Sequence, residues 1–185
     1  LAHAAPHSPA PGVLLVSLDG LRPEYVTEAG RHGLKIPYLR GLLREGAHST
    51  GVRGVLPTVT YSSHTTLLTG VKPAKHGIYF NHPFEPLARD PNRWFWYRED
   101  IRVPTLWDAA AQAGYVVGSV SWPVSVGAHA VRFLIPEFAG TRTIDDQKMI
   151  RALAGPALMA EFARNAGPFL TDVKEAVPRD WARTR

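Results

Sequence analysis

Two short stretches hold the side chains of this chain that could do chemistry. In GVLPTVTYSSHTTLLTGVKPAKHGI, residues 54–78, threonine and serine hydroxyls crowd the point where a short apolar run should hand over to a helix. In GVLLVSLDG, residues 12–20, Asp19 ends an apolar run and is followed by a glycine. A hydroxyl at a helix start has two uses. It caps the helix by accepting a bond from an unsatisfied backbone N–H, or it serves as a nucleophile at the positive end of the helix dipole. Thr60 stands just before a helix expected to begin about Tyr61 and to end at Gly70. Thr58 is the competing candidate, but it follows Pro57 and should lie in the approach.

The dipole alone does not make an alkoxide of a threonine. It contributes at most about 2 kcal/mol, roughly 1.5 pKa units, where neutral-pH ionisation needs a shift of many units. Zinc lowers the pKa of bound water from about 15.7 to about 7, so a hydroxyl nucleophile here implies a metal. Asp19 is then a natural oxygen ligand, and its alternative role is to cap the next turn. Cysteine is absent, which removes disulfides and thiolate metal sites and leaves oxygen and imidazole as donors.

The elements that must position these groups read as α/β. The run from Gly12 is apolar without alternation, which suits a strand buried on both faces of a parallel sheet, and Asp19 at its carboxyl end is where such sheets place ligands. Pro37 opens a helix with Leu39, Leu42 and Leu43 on one face and Gly46 near its end. GVRGVL, 51–56, offers a second short strand. The stretch NHPFEPLARDPNRWFWYRED is irregular, and Trp94, Phe95, Trp96 and Tyr97 there either pin the loop to the body or wall a ligand. A helix from Thr105, a stop at Gly114 and a buried strand over 115–121 follow in β-α-β order. VRFLI is the last strand, and two helical stretches, 144–167 and 168–177, close the chain.

With 185 residues, 45% hydrophobic and 20% charged, the chain has the composition of one globular domain with a real core. The net charge of +5 comes from basic residues scattered singly, which argues against a specific nucleic-acid partner. No apolar run is long enough to span a membrane. Residues 1–11, rich in Ala and Pro and containing Ala2-His3-Ala4, read as the flexible leader of an exported, periplasmic or secreted protein, or as an ordinary disordered terminus.

VSLDGLRPEY, PTVTYSSHTTLLTG, KPAKHGIYFN and VPTLWDAAAQAGYVVGSVSWP resemble, in order, the N-terminal motifs of the nucleotide pyrophosphatase/phosphodiesterase family of the alkaline phosphatase superfamily. The resemblance runs from Gly12 to at least Pro136. It implies a doubly wound, mostly parallel α/β domain with two Zn2+ ions, and a hydrolase that cleaves phosphodiester or pyrophosphate bonds through a phospho-threonine intermediate. It also implies Asp19 as a metal ligand, Thr60 as nucleophile and metal ligand, and Asn81 as a stabiliser of the phosphoryl oxygens together with the backbone N–H after the nucleophile. Tyr61 falls where the family sets an aromatic ring against the leaving group; packing at a helix start is its other reading. His64 and His76 recur in the motifs as scaffold hydrogen-bonders rather than metal ligands.

Ser62-Ser63 stands where the family has Pro-Asn, and Trp122-Pro123 is followed by Val-Ser rather than Gly-Ser. Both departures fall on the substrate side and leave the leaving group open. A phospholipid or phosphonate substrate is the alternative within the superfamily, and a scaffold domain without turnover is the alternative outside it. The sulfatase motif C/S-x-P-x-R is absent. The family's remaining ligands come from Asp-x-x-x-His, Asp-His-Gly and a late His, none of which occurs here. Residues 12–185 are therefore expected to be the N-terminal part of a longer catalytic domain, whose remainder is a partner along with a small-molecule nucleotide or phosphodiester.

Overall fold

A computed structural model of the chain describes residues 12–87, 93–138 and 144–167. The chain folds as two compact units that divide between Arg53 and Gly54.

In the first unit, residues 12–18 run without regular structure into a tight turn. Leu21 N–H donates to Leu18 C=O (3.4 Å), and Gly20 takes a φ of 70° at the third turn position, a left-handed value that favours glycine. A single helical turn, α1 (Glu24–Thr27), and a 3-10 turn (Ala29–His32) follow. The helix α2 (Pro37–Glu45) starts on its proline, as expected, and ends at Gly46. Arg40 ties α2 to α1 by donating to the carbonyls of Val26 and Thr27. Leu39 and Leu43, one turn apart, are half-buried, but Leu42 is 65% exposed and does not share their face.

Two expected strands are corrected. Residues 12–18 and 51–56 form no strand, and Val13, Leu14, Val52 and Leu56 are each at least 85% exposed. An extended segment becomes a strand only through a ladder partner, and among the described residues the one sheet pairs other segments. Apolar composition marked these runs as suited to burial, but it does not supply the partner.

The second unit holds the core. The helix α3 (Thr60–Thr69) ends on Gly70 in the left-handed conformation, and α4 (Pro73–His76) is a single turn. The segment 94–97 then enters the core. Phe95 and Trp96 are buried with Tyr61, Leu68, Ile78, Ile101, Trp107, Val124 and Val126 and pin the chain to the body, Trp94 packs half-buried against this cluster, and Tyr97 is exposed.

The helix α5 (Leu106–Gln112) begins at Thr105 with a reciprocal capping box. Asp108 N–H donates to Thr105 Oγ1 (3.3 Å), and Thr105 N–H donates to Asp108 Oδ2 (2.7 Å). Strand β1 (Gly118–Val120) pairs in parallel with β2 (Phe133–Ile135), register Gly118 to Phe133. The strand expected over 115–121 is thus shorter, because β2 offers three partners, and Tyr115 and Val116 lie exposed outside the ladder. The chain between β1 and β2 is held to the aromatic segment by Arg98 N–H to Val126 C=O (2.8 Å) and Val126 N–H to Trp96 C=O (3.0 Å).

Two helices, α6 (Ile144–Ala154) and α7 (Pro156–Ala166), close the described part. The expected leader 1–11 and the helix over 168–177 lie outside the described residues. The result is the α/β class, helices with a small parallel sheet.

Candidate active site

The site is built at the first turn of α3. Val59 is the N-cap, extended at φ −107° and ψ 158°, with no side-chain capping bond, and Thr60 is the first helical residue rather than the residue before the helix. Capping is therefore not what Thr60 does here. The helix ladder opens with Ser63 N–H to Val59 C=O (3.1 Å), so the N–H groups of the first turn have no acceptor within the helix. Thr60 is half-buried at this positive helix end, and Thr58 is exposed in the approach.

Asn81 reaches the same turn from the segment after α4. Tyr61 N–H donates to Asn81 Oδ1 at 3.0 Å. A backbone N–H is only a donor, so the carboxamide must turn its oxygen inward and present its NH2 group on the other side. The Asn81 backbone is fixed as well, its C=O accepting from Phe95 N–H (3.1 Å). The buried aromatic segment thereby positions a polar group beside the candidate nucleophile. The structure brings Asn81 to Tyr61, twenty positions earlier, and so to the turn that carries Thr60.

Tyr61 is fully buried at 0% exposure. Its ring packs edge-on against Trp94 (centroids 5.3 Å apart) and Trp96 (6.0 Å), and its Oη donates to Glu137 Oε1 (3.3 Å). Burial first, and then the Glu137 carboxylate, pushes the phenol far above its usual range, so the hydroxyl stays protonated. This environment fits the packing role that the sequence left as one of two readings. Glu137 has no motif around it, and nothing short of the fold could have named it.

The two motif histidines are bonded in opposite senses. His76 Nδ1 accepts from Ile78 N–H (3.1 Å), which puts its proton on Nε2, within 3.1 Å of Thr66 Oγ1. Burial holds its pKa below the ordinary histidine value. His64 Nδ1 lies 2.8 Å from the Thr60 carbonyl, so there Nδ1 carries the proton. Both make structural hydrogen bonds, as a scaffold role requires.

Asp19 belongs to the first unit, exposed in its tight turn ahead of Gly20. Among the described residues no group of three or more His, Asp or Glu side chains gathers to hold a metal ion. A tetrahedral zinc site takes four ligands, or three with an open position, so these residues do not form a zinc centre by themselves. No helix among them is long and apolar enough to cross a membrane.

The model of the type I phosphodiesterase / nucleotide pyrophosphatase family matches residues 13–182. Human ectonucleotide pyrophosphatase/phosphodiesterase family member 1 is 32% identical over 123 residues, covering 62% of this chain and 12% of the relative. Human family member 5 is 30% identical over 120 residues, 60% of this chain and 23% of the relative. A bis(5'-adenosyl)-triphosphatase of Xenopus laevis is 28% identical over 125 residues, 64% of this chain and 26% of that protein. The chain thus spans at most about a quarter of the length of these relatives. No solved structure matches it. With the family pattern running through almost every described residue, from Asp19 to the end of α7, this chain belongs to the type I phosphodiesterase / nucleotide pyrophosphatase family and to its alkaline phosphatase-like α/β fold.

Proposed function

We propose that this chain supplies the nucleophile end of a hydrolase that cleaves phosphodiester or pyrophosphate bonds of nucleotides. The observation that carries the reading is the bond between Tyr61 N–H and Asn81 Oδ1, which sets an outward-turned amide donor at the helix end where Thr60 stands. Thr60 Oγ1 forms the new bond to phosphorus as the bond to the leaving group breaks, the hydroxyl proton passing through solvent to the departing oxygen, and water then cleaves the phospho-threonine to restore the hydroxyl and release the phosphate product. Asn81 Nδ2 and the positive end of α3 stabilise the charge on the non-bridging oxygens, the kind of preorganised electrostatics that dominates phosphoryl transfer.

Zn2+ is the proposed metal of the complete domain, with Asp19 and Thr60 contributing two oxygen donors. The described residues do not assemble a zinc centre by themselves. The remaining donors would come from outside those residues, which makes the rest of the catalytic domain the chain's first partner. The relatives' names, ectonucleotide enzymes and a dinucleoside triphosphatase, support a nucleotide substrate and a periplasmic or secreted location.

The test is release of p-nitrophenol from a p-nitrophenyl phosphodiester by the full-length protein. Thr60→Ala abolishes it and Thr58→Ala retains much of it, and a phosphate trapped on Thr60 during turnover appears by mass spectrometry. Comparable residual activity in both variants would remove Thr60 from the role.

A further inference from the structure

His64 lies one helical turn after Thr60 and has been given no role in the chemistry. Its bond to the Thr60 carbonyl is directional. A carbonyl oxygen only accepts, so His64 Nδ1–H donates to it at 2.8 Å, although that oxygen also serves the helical ladder. The ring is buried and cannot swing away into solvent. Trp122 meets it edge-on, centroids 5.3 Å apart and planes at 78°.

Trp122 is itself held in an unusual turn at the carboxyl end of β1. Ser121 (φ 51°) and Val124 (φ 56°) both take left-handed backbone conformations, and for a β-branched valine that is a true outlier. Val124 and Ser125 are fully buried, and Ser121 N–H donates to Ile135 C=O (2.8 Å), which extends the sheet into the turn. Such backbone persists only where its surroundings over-determine it. What this turn delivers is an indole against the ring that grips Thr60.

We infer that His64 is a positioning residue for Thr60: its Nδ1–H bond, with the ring fixed by Trp122, sets the first turn of α3 and so the direction in which the Thr60 hydroxyl points. The role rests on Thr60 being the nucleophile. It also gives a buried polar ring in a helix interior something to do; His76, bonded in the opposite sense, serves Ile78 and Thr66 instead.

The experiment has a spectroscopic arm and a kinetic arm. In 15N NMR of the chain, the His64 proton sits on Nδ1 and the His76 proton on Nε2; a His64 ring protonated on Nε2 alone would overturn the inference whatever the enzyme does. The kinetic arm compares Thr60→Ala, His64→Ala, His64→Gln and His64→Asn in the full-length protein with a p-nitrophenyl phosphodiester. Asparagine carries its NH2 where histidine carries Nδ1, and glutamine carries it where histidine carries Nε2.

The expected pattern is a fall in kcat of about 10²-fold for the alanine and glutamine variants, the scale of an ångström-level misplacement of a reacting group, with KM little changed. Asparagine restores most of the rate. Equal losses in all three His64 variants, with Thr60→Ala inactive, would overturn the positioning role alone and leave the nucleophile in place. Turnover retained by Thr60→Ala would overturn both. Should His64→Ala fail to fold, the asparagine and glutamine pair carries the same comparison.

Discussion

The turn that carries Asp19 and the turn that carries Thr60 are both short loops leading out of apolar runs, yet they are built from different materials. Around Asp19 the chain makes a local turn, with Gly20 at φ 70° and a bond from Leu21 N–H to Leu18 C=O, and the apolar residues before it are exposed. Around Thr60 the local signals are backed by a core. Tyr61 is packed between indoles, Asn81 is bonded through side chain and backbone, and His64 reaches back to the same turn. The difference teaches that a strand-end residue depends on ladder partners, whereas a helix-end residue can be fixed by side chains that arrive from elsewhere in the same unit.

The comparison breaks most visibly in turnover. Thr60→Ala is expected to lose all measurable phosphodiesterase activity and Thr58→Ala to keep much of it, since only Thr60 joins the buried turn; steady-state assay of the two variants decides. Next comes the packing. Tyr61→Ala should destabilise the unit from Gly54 onward by about 3–5 kcal/mol, the usual cost of deleting a buried aromatic, as measured by urea denaturation. If the ring instead faces a nucleobase, the same variant weakens nucleotide substrates by about 1–3 kcal/mol and spares small aryl esters. An equal kinetic loss for every substrate identifies packing as its role.

A smaller effect is expected at α5, where the fold rests on an acidic cap. Burial alone would raise the Asp108 pKa, but the bond from Arg98 (2.6 Å) and those from Thr105 outweigh it and hold the carboxyl below its usual value. A carboxylate with a depressed folded-state pKa adds stability that is present above the unfolded value, about 3.9, and is lost as pH falls through the folded one. Asp108→Ala should cost about 1 kcal/mol and flatten that acid limb of the stability curve; an unchanged limb would mean the cap contributes nothing. His76 acts in the same direction nearer neutrality. Its lowered pKa means stability falls as pH drops below about 6.5, and His76→Gln should shift that limb.

The smallest effect is the one that tests the exposed region. Val13→Thr should change the stability of this chain by less than about 0.5 kcal/mol, as surface substitutions do. A loss of 1 kcal/mol or more would show the run 12–18 to be buried in solution and would erase the contrast between the two turns.

Much of the Thr60 half was legible in the sequence because its punctuation is local. Gly70 ends α3 and Thr105 begins α5, each through a short-range conformational preference. Asn81 could be named only through a family pattern, because its bond to Tyr61 spans twenty positions and no periodicity encodes it. Glu137 and Trp122 were not legible at all as neighbours of this turn, since each arrives by tertiary packing. The failed strands at 12–18 and 51–56 show the opposite error. Apolar runs there report what a segment would bury, and the hydrogen-bond partners of a strand lie elsewhere in the chain.

Trp94 and Trp96 stack with centroids 5.5 Å apart and planes 16° from parallel, and Trp107 and Trp122 lie in the same unit. Residues 12–53 contain no tryptophan, only Tyr25 and Tyr38 as aromatic chromophores. Light absorbed near 295 nm therefore reports on one unit and is blind to the other. A coupled indole pair in a chiral setting should also give a near-ultraviolet circular dichroism band of its own, which vanishes when the segment 94–97 leaves the core. Tryptophan emission and that band would follow the melting of the Thr60 unit, while protease cleavage before Arg53 would follow the Asp19 unit, so each has its own signal in a single sample.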